Sequence, residues 1–182
     1  MAQRTEASRQ AGTKKKKKRS VSPRDIRRAG FAVLYQLDAR DGQDLEDIRA
    51  YVEELEGMGQ AAQKKVLLLA TNAWNKREQA DAVTSELAPD WPAHRQAAVD
   101  RAILRLAHYE MTQSDTPPKV VVNEAVDLAK AFSTEKSPAF INALLDKVLK
   151  RVLASSADER GETDAADLSS TGDQLKDSTE RT

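Results

Sequence analysis

The chain contains no cysteine and only two histidines. The absence of cysteine excludes disulfides, thiolate metal ligands and cysteine nucleophiles. His94 and His108 do not form an HExxH-type motif, so the sequence predicts no metal site, and both are expected at the surface or its boundary. The seven glycines are scattered and form no phosphate-binding motif. We therefore expect no catalytic residues, no cofactor and no enzymatic activity.

Aromatic residues and long hydrophobic runs are also scarce. Aromatic side chains make up 4% of the 182 residues, and the many alanines, leucines and valines favour helices over a sheet sandwich. No apolar run approaches the length of a membrane span, and the first residues lack the hydrophobic segment of a secretion signal. We expect a single compact all-α domain in the cytoplasm, with no membrane partner.

The zero net charge conceals a strong sorting of charge along the chain. Residues 1–28 hold eleven lysines and arginines against two acidic residues, whereas residues 155–182 hold three against eight. Low hydrophobicity combined with an excess of charges of one sign is typical of disordered segments. The sequence therefore predicts a disordered basic tail over 1–22, with its cationic run at residues 14–19, a helical domain over 23–153 and a disordered acidic tail over 154–182.

The spacing of apolar residues predicts about six to seven helices in the central region. Ser22 and Ser137 are expected to act as N-caps, each followed by a proline that suits a first helical position. Prolines near residue 90 predict a boundary between two packed sub-bundles, residues 23–88 and 93–153, with Trp91 packing between them. Trp74 and Phe132 are expected in the core. The predicted helices cover residues 23–39, 45–56, 61–87, 99–111, 118–132 and 138–152.

The helix predicted over 99–111 carries a broad apolar arc, which indicates a central position in the bundle. Arg101, Arg105 and His108 lie opposite this arc. Glu110 falls inside it, where an uncompensated carboxylate would be costly. Two interpretations are open: Glu110 lies in water at a frayed helix end, or it meets a donor from a neighbouring helix or a partner.

The first predicted helix has two different faces. Its apolar side is expected to pack in the core, while Arg24, Arg27, Arg28, Phe31 and Tyr35 lie together on the other side. Cations for phosphates and flat rings for unpaired bases are the combination that binds single-stranded RNA. The alternative is that both rings pack beneath a neighbouring helix while the arginines are merely solvated.

Three ordered motifs resemble a known family. The strings VDRAILRLAHYE, PPKVVVNEAVDLAKAF and FINALLDKVL are similar to the carboxyl-terminal half of the NusB family of bacterial transcription factors, and the Leu-Tyr-Gln element after the arginine-rich start also fits. The resemblance implies an all-α antitermination factor that binds boxA-type single-stranded RNA of ribosomal RNA transcripts together with the ribosomal protein NusE. It would act on the RNA polymerase elongation complex by binding alone.

The resemblance also implies site residues. RNA contacts would lie on the arginine-rich helix, and partner contacts would lie on positions that match family motifs, although Asn123 and Glu124 could instead satisfy buried backbone or Arg101. The predicted partner-binding residues are Asp100, Tyr109, Glu110, Asn123 and Glu124.

Lys136 departs from the family pattern, because the family usually has an acidic residue at this position. Lysine here would add positive charge near the expected RNA surface, and it would either strengthen RNA binding or weaken partner docking. The competing hypothesis is a helical protein-interaction module whose basic tail binds any nucleic acid. The sequence gives no indication of self-association.

Overall fold

A computed structural model of the chain describes the backbone of residues 20–171 and the side chains of residues 20–154. This part contains seven α-helices, a short 3-10 turn at Ala93–Arg95 and no strand, which confirms the all-α prediction. Residues 1–19 of the predicted basic tail lie outside it. No described helix is both long and apolar enough to cross a bilayer. The helices are α1 (Pro23–Ala39), α2 (Leu45–Glu53), α3 (Gln60–Asn75), α4 (Arg77–Leu87), α5 (Ala98–Gln113), α6 (Pro118–Phe132) and α7 (Ser137–Thr171).

Helix α5 lies at the centre of the bundle. It packs against α1, α3, α4, α6 and α7, and its side chains Ile103, Leu104 and Leu106 are at most 1% exposed. Burying each such side chain is worth about 1.5–3 kcal/mol. One hydrophobic cluster joins these residues to buried side chains of α1, α2, α3, α6 and α7. The central position predicted from the wide apolar arc is therefore confirmed.

Helix α1 begins as its sequence predicts. Ser22 accepts a hydrogen bond from the Asp25 amide, and the Asp25 side chain accepts one from the Ser22 amide, which forms a capping box. Pro23 occupies the first helical position, where a missing N–H is harmless. Leu34 and Leu37 are fully buried on the core side. The cap therefore fixes where α1 begins, and the apolar stripe fixes which side of α1 faces the core.

Several predicted boundaries differ from the observed ones. The single helix predicted over residues 61–87 is broken at Lys76, whose backbone (φ −100°, ψ 9°) ends α3 and begins α4. Helix α2 ends at Glu53, because the chain then turns through Gly57, which has φ +77°. Helix α7 continues to Thr171, past the predicted end at residue 153, so the first part of the predicted acidic tail is helical. Residues 172–182 lie outside the described part.

Of the two tryptophans, one lies where it was predicted and the other does not. Trp74 packs against the core as expected, with its indole ring against Gly42, where φ is +74° and a Cβ would lie 2.7 Å from the indole nitrogen. Trp91 was predicted to pack between the sub-bundles, but it is 47% exposed and its ring is covered by the guanidinium of Arg95 at 5.1 Å. The short turn that follows Trp91 leaves its ring at the surface.

Charged side chains, rather than Trp91, link the two halves of the bundle. Asp38 at the end of α1 accepts hydrogen bonds from Arg101 (2.5 Å) and Arg105 (2.6 Å), both on α5. Arg105 also donates to both carboxylate oxygens of Asp81 on α4, at 2.8 and 2.7 Å. Arg105 is buried, and removal of either carboxylate would leave part of its charge without a partner.

The observed positions of Ser137 and His108 also differ from the predicted ones. Ser137 is the first residue of α7 rather than its N-cap, and its hydroxyl donates to Asp100 at 2.8 Å. His108 is buried instead of lying at the surface or its boundary, and among the described residues its Nδ1 atom has no hydrogen-bond partner. Burial lowers the pKa of His108 below its usual range, with a further lowering from the positive charge of Arg151.

Candidate nucleic-acid interface

Arg27 forms a buried salt bridge with Glu110 across the contact of α1 and α5. The guanidinium donates from Nε to Oε2 at 2.7 Å and from Nη2 to Oε1 at 2.8 Å. Both residues are at most 7% exposed, and the hydrogen bond that Arg27 donates to Glu110 raises the pKa of Arg27 above its usual value. The donor to Glu110 is therefore Arg27 on the neighbouring helix α1. Arg27 is consequently not the exposed RNA contact that its position on the helical wheel had predicted.

Arg24 lies at the surface but is also paired with carboxylates. Its Nε donates to Glu124 at 3.1 Å, and Nη2 donates to Asp127, both on α6. The hydrogen bond that Arg24 donates to Glu124 is the main reason that the pKa of Arg24 is raised. Glu124 also lies 3.4 Å from Arg27. We call these residues the ionic layer, which consists of Arg24, Arg27, Glu110, Glu124 and Asp127.

The two phenylalanines of this region have the opposite exposure to the one predicted. Phe31 was predicted on the RNA-binding side, but it is 5% exposed. Phe132 was predicted in the core, but it is 39% exposed and lies over Phe31, with ring centroids 5.2 Å apart. The reason is that the end of α6 covers this side of α1, so the outer ring belongs to α6.

Arg28 and Phe132 form the exposed part of the face. The Arg28 guanidinium carbon lies 4.7 Å from the centre of the Phe132 ring, at cation–π distance. Arg28 is exposed, and the described residues place no carboxylate within salt-bridge distance of it. We call this pair the Arg28–Phe132 stack. It borders an open cavity of about 280 Å³ that is lined by Arg24, Arg27, Arg28, Glu124, Asp127, Leu128, Ala131 and Phe132.

Tyr35 is the other exposed ring on α1, with 39% of its surface accessible. It lies seven residues after Arg28, which is two helical turns along the same side of the helix. The sequence prediction for Tyr35 therefore agrees with its exposure, unlike the prediction for Phe31.

Lys136 lies next to a second cavity, in the connection between α6 and α7. The side chain is exposed, and the cavity of about 280 Å³ beside it is lined by two aromatic rings, Trp91 and Phe140. Asp100 forms part of the same lining, but its carboxylate accepts hydrogen bonds from Ser133 at 2.6 Å and from Ser137. Lys136 is thus placed beside exposed aromatic surface, as Arg28 is.

The five predicted partner residues do not form one exposed surface. Asp100 and Glu110 are buried, and their carboxylates are used within the chain. Tyr109 is partly buried, and its hydroxyl accepts a hydrogen bond from Asn72 at 3.0 Å. Glu124 pairs with the two arginines of the ionic layer rather than with Arg101. Of the five, Asn123 alone is fully at the surface.

Sequence reasoning missed Phe132 and Trp91 as exposed rings, and Phe140 as a half-buried ring in the lining of the second cavity. The position of Phe132 as the last residue of α6 is the signal that could have placed it outside, because a helical stripe leaves the core where the helix ends. In the described part of the chain, no group of three or more metal-ligating side chains comes together.

Comparison with known proteins identifies the family. A model of the NusB family matches residues 24–150. The transcription antitermination protein NusB of Rubrobacter xylanophilus is 41% identical over 141 residues, which cover 72% of this chain and 96% of that protein. The protein of the same name from Symbiobacterium thermophilum is 37% identical over 148 residues, covering 76% and 97%.

Solved structures agree with the sequence relatives. NusB of T. maritima shares 32% identity at a TM-score of 0.64, over 72% of this chain and 93% of that one. A chain from the crystal structure of antitermination factors NusB and NusE in complex with dsRNA shares 28% identity at a TM-score of 0.62, over 70% and 96%. These relatives are named antitermination factors and not enzymes, in agreement with the sequence prediction. This chain belongs to the NusB family of transcription antitermination factors.

Proposed function

We propose that this chain binds boxA-type single-stranded RNA of ribosomal RNA transcripts together with NusE, and that it acts on elongating RNA polymerase by binding alone. The Arg28–Phe132 stack is the observation that carries the proposal, because it combines an exposed ring with a cation that no described carboxylate neutralises. The solved complex of NusB and NusE with dsRNA supports NusE and RNA as the classes of partner, and the exposed ring and guanidinium favour an unpaired strand.

The stack places a guanidinium plane and a partly exposed ring at the edge of an open cavity. An unpaired base can lie against Phe132 or against the guanidinium plane of Arg28, while the positive charge of Arg28 attracts the phosphate. Stacking of this kind is worth about 1–3 kcal/mol per base. Tyr35 supplies a second exposed ring along the same side of α1. The RNA path that we propose therefore follows α1.

Lys136 extends this path beyond the end of α6. It lies four residues after Phe132, beside the cavity lined by Trp91 and Phe140. Rings next to a lysine again suit bases and phosphates, so we propose that the lysine strengthens RNA binding. The family's acidic residue at this position would not do so.

The ionic layer assigns different work to Arg24 and Arg27. Three carboxylates face these two arginines, so neither presents free positive charge to a phosphate. We propose that Arg27 supports the face from below, and that Arg24 contributes to RNA binding only when the RNA displaces Glu124 and Asp127.

The proposed NusE contact lies on the exposed side of α6. Asn123 is exposed there, and Val120, one turn earlier, is 44% exposed. A mixed polar and apolar strip of this kind is typical of a non-obligate protein interface. Asp100 and Glu110 act on this surface only indirectly, by holding α5 against α1 and α7.

Titration with three RNAs tests the proposal. A boxA-type single strand, a scrambled strand and a duplex of the boxA sequence are each titrated at several salt concentrations, with and without NusE. We expect the boxA strand to bind best, and its advantage to persist at high salt because stacking is not screened. Equal affinity for all three RNAs, with a steep loss at high salt, would instead support nonspecific binding through the basic tail.

A further inference from the structure

A groove between α2 and α3 is not used by the proposed RNA site. It consists of two adjoining cavities, of about 690 and 240 Å³, that share Arg49, Lys64 and Leu67 in their linings. None of its lining residues belongs to the Arg28–Phe132 cavity. The groove therefore presents a second surface on a different side of the fold, formed by other helices.

The sequence places one stripe of each helix along this groove. On α3, Gln60, Lys64, Leu67, Leu68 and Thr71 recur at helical spacing. This stripe spans about three turns, or roughly 16 Å. On α2, a matching stripe places Leu45 and Arg49 opposite it. The two stripes together form a trough of the length that a short helix fills.

The lining of the groove combines exposed leucines with two cations against one carboxylate, that of Glu53. Leu68 is 56% exposed and Leu45 is 47% exposed, although leucine is a residue type that usually lies inside. Arg49 and Lys64 are exposed, and no described carboxylate lies within salt-bridge distance of either. By contrast, Arg24 is neutralised by carboxylates on a neighbouring helix.

From this chemistry we propose that the α2–α3 groove binds an acidic amphipathic helix of a partner protein. The leucines would cover the apolar face of that helix, and Arg49 and Lys64 would pair with carboxylates on its two flanks. Leucine offers no flat surface for base stacking, and the residues that line the groove include no aromatic ring. The combination therefore favours a peptide over RNA.

Peptide binding followed by NMR tests this inference. The probe is a helical peptide of about 15 residues with leucines at every third or fourth position and flanking glutamates. The matched control peptide has lysine at each glutamate position, and a single-stranded RNA is titrated separately. We expect the acidic peptide alone to shift the amide signals of α2 and α3. Lys64→Glu and Leu68→Ser should each weaken its binding by about tenfold.

The control variant is Leu153→Ser, because Leu153 is 55% exposed on a different helix. It should bind the acidic peptide like the unaltered chain. The proposal is overturned if the lysine peptide binds equally well or if RNA shifts the same signals. It is also overturned if the amide signals of α2 and α3 change when the protein is diluted, because the groove then binds a second copy of this chain. A change of the same signals on removal of residues 172–182 overturns it too, because the groove then binds the chain's own end. Lys64→Glu and Leu68→Ser are also titrated with boxA RNA, so that a loss of peptide binding is distinguished from a loss of RNA binding.

Discussion

Arg27 and Arg28 are neighbours in the sequence, yet they lie in opposite environments. Arg27 is buried against Glu110, whereas Arg28 lies at the surface over the ring of Phe132. The Arg27 guanidinium contacts a carboxylate instead of water, whereas the charge of Arg28 remains accessible at the surface. The comparison teaches that an arginine-rich helix is not by itself an RNA-binding surface, because each guanidinium must be counted against the carboxylates that face it.

The largest effect expected from this comparison is on stability. Arg27→Ala leaves the Glu110 carboxylate buried without a partner, so the free energy of unfolding should fall by about 3–5 kcal/mol. Arg28→Ala should change it by no more than about 0.5 kcal/mol. Urea unfolding followed by circular dichroism measures both variants.

A double variant provides the control for the buried pair. Arg27→Met combined with Glu110→Leu removes both charges and keeps apolar volume, so most of the lost stability should return. A loss below about 1 kcal/mol for Arg27→Ala alone would show that the buried salt bridge does not stabilise the α1–α5 contact.

The next effect is on RNA affinity, and two tyrosines make a matched pair. Tyr35 on α1 and Tyr51 on α2 are 39% and 38% exposed. Tyr35→Ala should weaken boxA RNA binding by about 1–3 kcal/mol through lost stacking, while Tyr51→Ala should have no effect. Fluorescence anisotropy with labelled RNA measures the difference. Equal losses for the two variants would place the RNA elsewhere.

A smaller effect, in the opposite direction, is expected from Asp127→Asn. This change removes one of the two carboxylates that hold Arg24, so RNA should bind a few-fold more tightly and the slope of log affinity against log salt should steepen by about one. Asp146→Asn is the control, because Asp146 pairs with Lys150 on α7 instead. Unchanged or weaker RNA binding by Asp127→Asn would show that the carboxylate does not restrain Arg24.

The last effect concerns pH and stability. Burial lowers the pKa of His108 in the folded chain, so the unfolded chain binds a proton more readily. The free energy of unfolding should therefore decrease as pH falls below about 6.5, the ordinary histidine value. His108→Gln should reduce this decrease, and His94→Gln, at an exposed position, should leave it unchanged. Urea unfolding at several pH values measures it, and identical pH dependence in all three chains would contradict the assignment.

Local signals in the sequence were sufficient to predict most of the helices but not the outer surface. The cap at Ser22 and the wide apolar arc of α5 are properties of single helices, and both were predicted. For Glu110 the sequence left two interpretations open, water at a frayed helix end or a donor from a neighbour, and the structure shows the second, with Arg27 as the donor.

The exchange of Phe31 and Phe132 could not be predicted in the same way. Which ring lies outside depends on where the end of α6 crosses α1, and that is a relation between two helices far apart in the sequence. The pairing of Arg24 with Asp127 spans 103 residues for the same reason. Helical wheels give the faces of a helix, but they do not show which neighbour covers each face.

The most direct test of the proposed RNA face is ultraviolet cross-linking of boxA RNA to the full chain, with the cross-linked residues identified by mass spectrometry. Our account predicts cross-links at Phe132 and Tyr35, which are lost on addition of unlabelled boxA RNA but not of the scrambled strand. Cross-links confined to the lysine run at residues 14–18 or to the α2–α3 groove would contradict it.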